Sequence, residues 1–155
     1  MRLLAIDPGG TTGMARYDSD GKQDPPFASF ELSAMEAIET VNTIVSSPDR
    51  ATVPDLVICE AFIISGQTLK KTRKGPNETI ETIGAVRYLC FRWDVPFKLQ
   101  APFQRDWATN ARLAKMGWRN PTPGGHCDDA ARHLLVAAVT YGLIDPAIFL
   151  EEDNE

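Results

Sequence analysis

The sequence predicts an α/β domain built on a five-stranded mixed sheet flanked by helices, and three observations predict it. Two short continuous apolar runs, Leu3-Leu4-Ala5-Ile6 and Leu56-Val57-Ile58-Cys59, read as strands covered on both faces. Turn signals after the first run set up an antiparallel meander. Segments of helical period then separate the meander from the second run and follow it.

Taken in order, residues 3–6 form the first strand and end in Asp7. The Pro8-Gly9-Gly10 turn leads into a second strand over residues 12–17, and residues 21–26, with Gly21, Pro25 and Pro26, turn the chain into a third over residues 27–32. Ser33 with Glu36 three positions on is a capping box. Met35, Ile38, Val41 and Val45 follow at near-helical spacing until Ser47-Pro48 breaks the pattern, so a helix separates strand three from strand four. The fourth strand, residues 56–59, ends in Glu60.

Asn77 suits the cap of a second helix over residues 77–93. Its apolar positions, Ile80, Ile83, Val86, Cys90, Phe91 and Trp93, spread too widely around the axis for one covered face. A fifth strand is expected at 96–99 and a helix at 102–116. Pro121-Thr122-Pro123-Gly124-Gly125 reads as a rigid-then-flexible loop before a closing helix over residues 126–141, stopped by Gly142 with Pro146 beyond. The organisation is one domain over residues 1–150 and an acidic tail, residues 151–155, expected to be disordered.

The 155 residues, 43% hydrophobic and 24% charged, suffice for one domain with a real core. No apolar stretch approaches the roughly 20 residues that a membrane span needs. The N-terminus reaches a carboxylate too early for a secretory apolar region, so a cytoplasmic location is expected. Three widely spaced cysteines, Cys59, Cys90 and Cys127, fit neither a disulfide framework nor a Cys-x-x-Cys zinc site and read as reduced packing residues.

The net charge of −5 argues against a nucleic-acid partner only until the acids are located. Four of the 21 acids lie in the tail, which leaves 17 against 16 basic side chains before it. The charge is also polarised: Lys70, Lys71, Arg73 and Lys74 put four positive charges in five positions, with Arg105, Arg112, Lys115 and Arg119 following.

A right-handed crossover sets strand 56–59 parallel to strand 3–6, so Asp7 and Glu60 emerge at the same carboxyl edge. The closing helix opens His126-Cys127-Asp128-Asp129. If its first turn abuts that edge, Asp129 joins them. Like charges so close either raise a pKa or bind a divalent cation. Carboxylate oxygens with room for waters and a substrate phosphate suit Mg²⁺ or Mn²⁺, and two such ions serve phosphodiester hydrolysis. Each acid also has a plain reading: Asp7 as a turn residue, Glu60 as a solvated strand end, Asp128 and Asp129 as helix caps. Their order and strand context together favour a common site.

Ile6-Asp7-Pro8-Gly9-Gly10-Thr11-Thr12-Gly13-Met14-Ala15, the strand-terminal Glu60 and His126-x-x-Asp129-Ala130-x-Arg132-His133 resemble RuvC-type Holliday junction resolvases, with phage-encoded members the nearest match. The likeness extends over nearly the whole chain and implies the RNase H-like fold, with strand order 3-2-1-4-5. It further implies a homodimer that binds four-way DNA junctions and makes paired nicks through divalent metal ions, leaving 5′-phosphate and 3′-hydroxyl ends. A phage-encoded protein would act in the bacterial host cytoplasm. By position, Asp7 resembles the family's metal-bridging carboxylate, Glu60 its second acid and Asp129 its last. His126 stands where many bacterial members have aspartate and other branches histidine. It would contact a metal, or orient or deprotonate the attacking water, since imidazole titrates near neutral pH. Asp128 is an extra acid, either a further metal ligand or a group favoured by the helix dipole. His133, one turn beyond Asp129, either packs or supports the ligands from behind.

The segment 61–76 follows Glu60 directly and reads as a substrate loop. Lys70, Lys71, Arg73 and Lys74 would neutralise phosphates, and Phe62 would stack on an unpaired base or fold into the core. Arg105, Arg112 and Lys115, spaced seven and three apart in an expected helix, would share one face toward a second duplex arm. Helix 77–93 is the candidate dimer interface, where Gly84 admits a close backbone. Two rivals remain. An actin-like or sugar-kinase nucleotide-binding protein also opens with Asp-x-Gly and threonines, but it needs a second such segment. A non-catalytic junction-binding protein has no use for three converging acids.

Overall fold

Side-chain alternation explains why the first apolar run is unbroken. In the computed structural model, which describes residues 1–63, 77–120 and 125–150, Leu3 and Ala5 pack on one side of the sheet and Leu4 and Ile6 on the other. A strand buried on both faces has no position to spare for a polar residue. This strand, β1 (Arg2–Asp7), pairs antiparallel with β2 (Thr11–Asp18), which pairs antiparallel with β3 (Phe27–Ser33). The turn between β2 and β3 is organised by buried Asp18, whose carboxylate accepts the backbone N–H groups of Asp20, Lys22 and Gln23 at 3.0–3.1 Å.

Helix α1 (Ala34–Val45) follows directly. Ser33 Oγ accepts from the Glu36 N–H at 3.3 Å, and Glu36 Oε2 accepts from the Ser33 N–H at 2.9 Å. The expected capping box is therefore formed. Ser33→Ala should cost about 1 kcal/mol, read as a lower midpoint in urea unfolding with an unchanged slope. The buried stripe of α1 is Ala37, Val41 and Val45, four residues apart. Met35, expected on that stripe, is 65% exposed, because two residues before Ala37 places it across the helix axis.

Strand β4 (Leu56–Glu60) lies parallel to β1 in the register Leu3↔Leu56 through Ile6↔Cys59, and β5 (Phe97–Gln100) lies parallel to β4. The sheet order is β3-β2-β1-β4-β5. Helices α1 and α2 (Asn77–Arg92) cover one face through Val41, Val45, Val86 and Cys90. The closing helix, here α4 (His126–Thr140), covers the other through Ala130, Ala131, Leu134 and Leu135. Burying each of the larger aliphatic side chains contributes roughly 1.5–3 kcal/mol. Gly142, at φ +69°, takes the left-handed conformation that ends α4, as its position predicts.

The single helix expected over 102–116 is two pieces, a 3₁₀ helix (Pro102–Trp107) and a short α3 (Asn110–Lys115). Thr109 caps α3 by accepting the Arg112 N–H. The Trp107 ring meets Phe149 edge-on at 5.5 Å while the Arg112 guanidinium lies 4.4 Å from the Trp107 ring centre. Packing against a residue more than thirty positions away thus bends a segment whose own periodicity is continuous. All three cysteines are free and buried. Burial raises the Cys59 thiol and pushes that of Cys90 up to about 12, so both act as packing groups. No helix among the described residues is long and apolar enough to cross a membrane. The tail, residues 151–155, lies outside the described residues.

Candidate active site

Because β1 and β4 run parallel and in register, Asp7 and Glu60 leave the sheet side by side, one residue beyond the pair Ile6↔Cys59. The first turn of α4 brings Asp129 to the same edge. That turn can come so close only because Gly13, the β2 partner of Asp7, lacks a side chain: a Cβ there would lie 1.9 Å from the His126 carbonyl oxygen. Glu31 of β3 supplies what the helix start lacks. Its Oε1 accepts the Cys127 N–H at 3.2 Å, in place of a side-chain cap from Gly125.

The three acids meet at one cation. Nη1 of Arg105 lies 2.5 Å from Glu60 Oε2, 3.2 Å from Asp129 Oδ2 and 3.9 Å from Asp7 Oδ1. Asp129 Oδ1 is held by Arg132 at 2.6 Å, and Arg132 is itself anchored on Asn110 at 2.7 Å. Glu60 Oε2 accepts a second bond from fully buried His133, whose other ring nitrogen faces Gln100 Oε1 at 2.7 Å. His126 Nδ1 lies 2.7 Å from Asp7 Oδ2. Its ring is nearly half exposed, so the remaining nitrogen can reach solvent when Nδ1 donates to the carboxylate. Beside this group an open cleft of about 330 Å³ is lined by Gly125, His126, Asp128, Asp129 and Arg132.

Asp7 is only 5% exposed. Burial raises its carboxyl above the ordinary carboxylate value, the His126 hydrogen bond opposes that, and repulsion from Glu60 and Asp129 adds to it.

Among the described residues no group of three or more His, Cys, Asp and Glu side chains is disposed to hold a metal ion as it stands. The acids are spread around a guanidinium instead. In kind the donor set fits a hard divalent cation: three carboxylates from three elements face one point, and a positive group already stands there. Asp7, Glu60 and Asp129 are the residues that would hold such an ion once drawn inward from the guanidinium.

Sequence-level expectation and geometry part company elsewhere. Asp128 is buried and accepts the Asn120 N–H at 3.2 Å, apart from the acids around Arg105. One helical residue, about 100° of rotation, separates it from Asp129. Arg105 points into the site rather than sharing a face with Arg112 and Lys115, because the helix is interrupted between them. Arg112 donates to the Trp107 carbonyl at 2.7 Å, bracing the turn, and Lys115 is exposed. Phe62 is half-buried, neither core nor fully free. Lys70, Lys71, Arg73 and Lys74 lie outside the described residues. Gly13, Gln100, Arg132 and Asn110 carry roles that residue spacing did not assign. Only Gly13 had a usable signal, a residue without a side chain directly opposite Asp7 in the hairpin.

No protein-family model matches the chain, and a comparison with curated proteins finds no match. Solved structures do match. A structure of RuvC from Thermus thermophilus aligns with a TM-score of 0.60 at 18% identity, covering 92% of this chain and 96% of that one. A structure of T. thermophilus RuvC in complex with a Holliday junction substrate aligns with a TM-score of 0.66 at 17% identity, with the same coverage. At such identities the likeness shows a shared fold, the mixed five-stranded sheet in the order 3-2-1-4-5 flanked by helices.

Proposed function

We propose that this chain is a divalent-cation-dependent endonuclease that resolves four-way or related branched DNA junctions by paired phosphodiester hydrolysis. The observation that carries the reading is the convergence of Asp7, Glu60 and Asp129 on one point beside an open cleft. A protein that merely bound a junction would gain nothing from three acids facing a polyanion, whereas a hydrolase needs them to hold Mg²⁺ or Mn²⁺. Bound there, one or two such ions would supply charge neutralisation at the phosphate and a water of lowered pKa.

The chain's own groups divide the remaining work. His126, with Nδ1–H donating to Asp7, offers the other nitrogen as an acceptor for the attacking water's proton. Attack at phosphorus with departure of the 3′ oxygen leaves a 5′-phosphate and a 3′-hydroxyl. His133 fixes the Glu60 carboxylate, with Gln100 holding the ring from behind. Backbone contact falls to the 61–76 segment with Lys70, Lys71, Arg73 and Lys74, and to Lys115, while Phe62 sits close enough to Glu60 in sequence to stack on a base at the branch point.

Paired nicks call for two sites related by a two-fold axis, and hence for a homodimer. Helix α2 supports this. Ile80, Gly84, Tyr88 and Phe91 form one stripe at helical spacing on its outer side, with Phe91 83% exposed and nothing within 4 Å of the Gly84 Cβ position.

Purified protein assayed on four-way junction, fork, flap and linear duplex DNA should nick the junction with Mg²⁺ or Mn²⁺ and not in EDTA. Glu60→Gln and Asp129→Asn should each lower the rate by about a hundredfold or more at near-normal junction affinity. Cleavage in EDTA, or full activity in either variant, would overturn the assignment.

A further inference from the structure

We propose that Arg105 is the site's internal counter-ion, and that its guanidinium and a divalent cation exclude one another among Asp7, Glu60 and Asp129. The inference deepens the nuclease reading and rests on it. Three carboxylates at one sheet edge would repel each other strongly in a protein holding no ion. Arg105 relieves this with a single nitrogen, Nη1, within 3.9 Å of an oxygen from each acid. It reaches them from the 3₁₀ helix Pro102–Trp107, none of whose residues is buried, so its stem starts at the surface and ends in the cluster.

Coexistence is opposed on two grounds. Glu60 Oε2 already accepts from both Arg105 Nη1 at 2.5 Å and His133 Nε2 at 2.6 Å, leaving that oxygen no free direction for a metal bond. A dication in the same space would also face a unit positive charge a few ångström away, and the two would repel. Arg132 does not compete in this way, since it holds Asp129 from its other oxygen and is fixed on Asn110. Loading the site therefore means moving Arg105 out. Its long stem and 26% exposed side chain give it a way into the cleft, where a DNA phosphate would be its next partner.

Mn²⁺ titration followed by calorimetry tests this on wild type, Arg105→Met, Arg105→Gln and Asp129→Asn, with circular dichroism to check folding. Both Arg105 variants should bind Mn²⁺ about tenfold or more tightly than wild type, because the ion no longer displaces a bound cation. They should also melt at a lower temperature than wild type in EDTA and recover on adding Mn²⁺. Folded Arg105 variants with wild-type or weaker Mn²⁺ affinity would overturn the proposal. If Asp129→Asn still abolished Mn²⁺ binding in that case, the carboxylate site itself would stand. Absence of Mn²⁺ binding in all four proteins would overturn both. Should the variants misfold, wild type suffices: the Arg105 side-chain N–H resonance should shift on Mg²⁺ addition together with the Asp7 and Asp129 backbone amides. An unmoved Arg105 signal beside shifted amides would refute displacement.

Discussion

Asp7→Asn is expected to abolish strand cleavage, by about a thousandfold or more, while junction affinity persists and the metal-free protein becomes more stable. The first effect follows from position. Asp7 ends the central β1, is 5% exposed and is the acid that His126 contacts. The second follows from the cost of keeping a carboxylate there. Burial, opposed by the His126 hydrogen bond and reinforced by Glu60 and Asp129, raises the Asp7 carboxyl above its ordinary value of 3.8. A carboxyl raised on folding stabilises the protein fully below its unfolded value, and that contribution is lost as pH rises through the folded value. Wild type therefore gives up stability as pH climbs above about 4, whereas asparagine does not titrate. An amide oxygen can still accept from His126 Nδ1–H, so little else changes. Thermal melts in EDTA should show the variant ahead at neutral pH, with the gap closing toward pH 3. Added Mn²⁺ should reverse the order by stabilising wild type alone. A variant less stable than wild type in EDTA at neutral pH would show that burial of Asp7 carries no such cost.

How much of this is legible in the sequence depends on the range of the forces involved. Leu3 to Ile6 and Leu56 to Cys59 declared themselves because each residue reports its own burial, and both strands are covered on both faces. Ser33 and Glu36 were readable for a related reason, since a capping box closes within four residues. Parallel pairing of β1 with β4 followed from the handedness of the crossover, and with it the placement of Asp7 beside Glu60.

Arg105 was not legible in this way. Its spacing to Arg112 suggests a shared helical face, but the chain at Arg105 is a 3₁₀ helix and Thr109 restarts it as a separate turn. The break is set by Trp107 packing on Phe149, a contact that no local window contains, with Arg112 over the same indole. His133 was readable only as one turn beyond Asp129. That it bonds Glu60 and Gln100, on two different strands, depends on the sheet being assembled. Long-range polar partners carry no periodic signature, and the candidate site is made largely of them.

Gly13→Ala is expected to be among the most damaging single-methyl changes in the molecule, at on the order of 3 kcal/mol or more. Ordinary reasons for glycine do not apply, because no positive φ is found at Gly13 and the residue sits inside a regular strand. Space is the reason. An added Cβ would stand 1.9 Å from the His126 carbonyl oxygen, 2.1 Å from its carbon and 2.7 Å from the Cys127 nitrogen, all backbone atoms of the first turn of α4. No side-chain rotation relieves such contacts. Either β2 leaves its register with β1, or α4 lifts off the sheet edge. The second path opens the core beneath Ala130, Ala131, Leu134 and Leu135 and carries Asp129 and His126 away from Asp7. The variant should therefore lose thermal stability by roughly 10 °C and lose Mn²⁺ affinity at temperatures where it remains folded. By contrast, Glu31→Gln removes only the charge that receives the Cys127 N–H and leaves this clearance intact. Melting curves and Mn²⁺ titrations measure both effects, and a Gly13→Ala protein with wild-type melting temperature would mean that the helix start does not rest on Gly13.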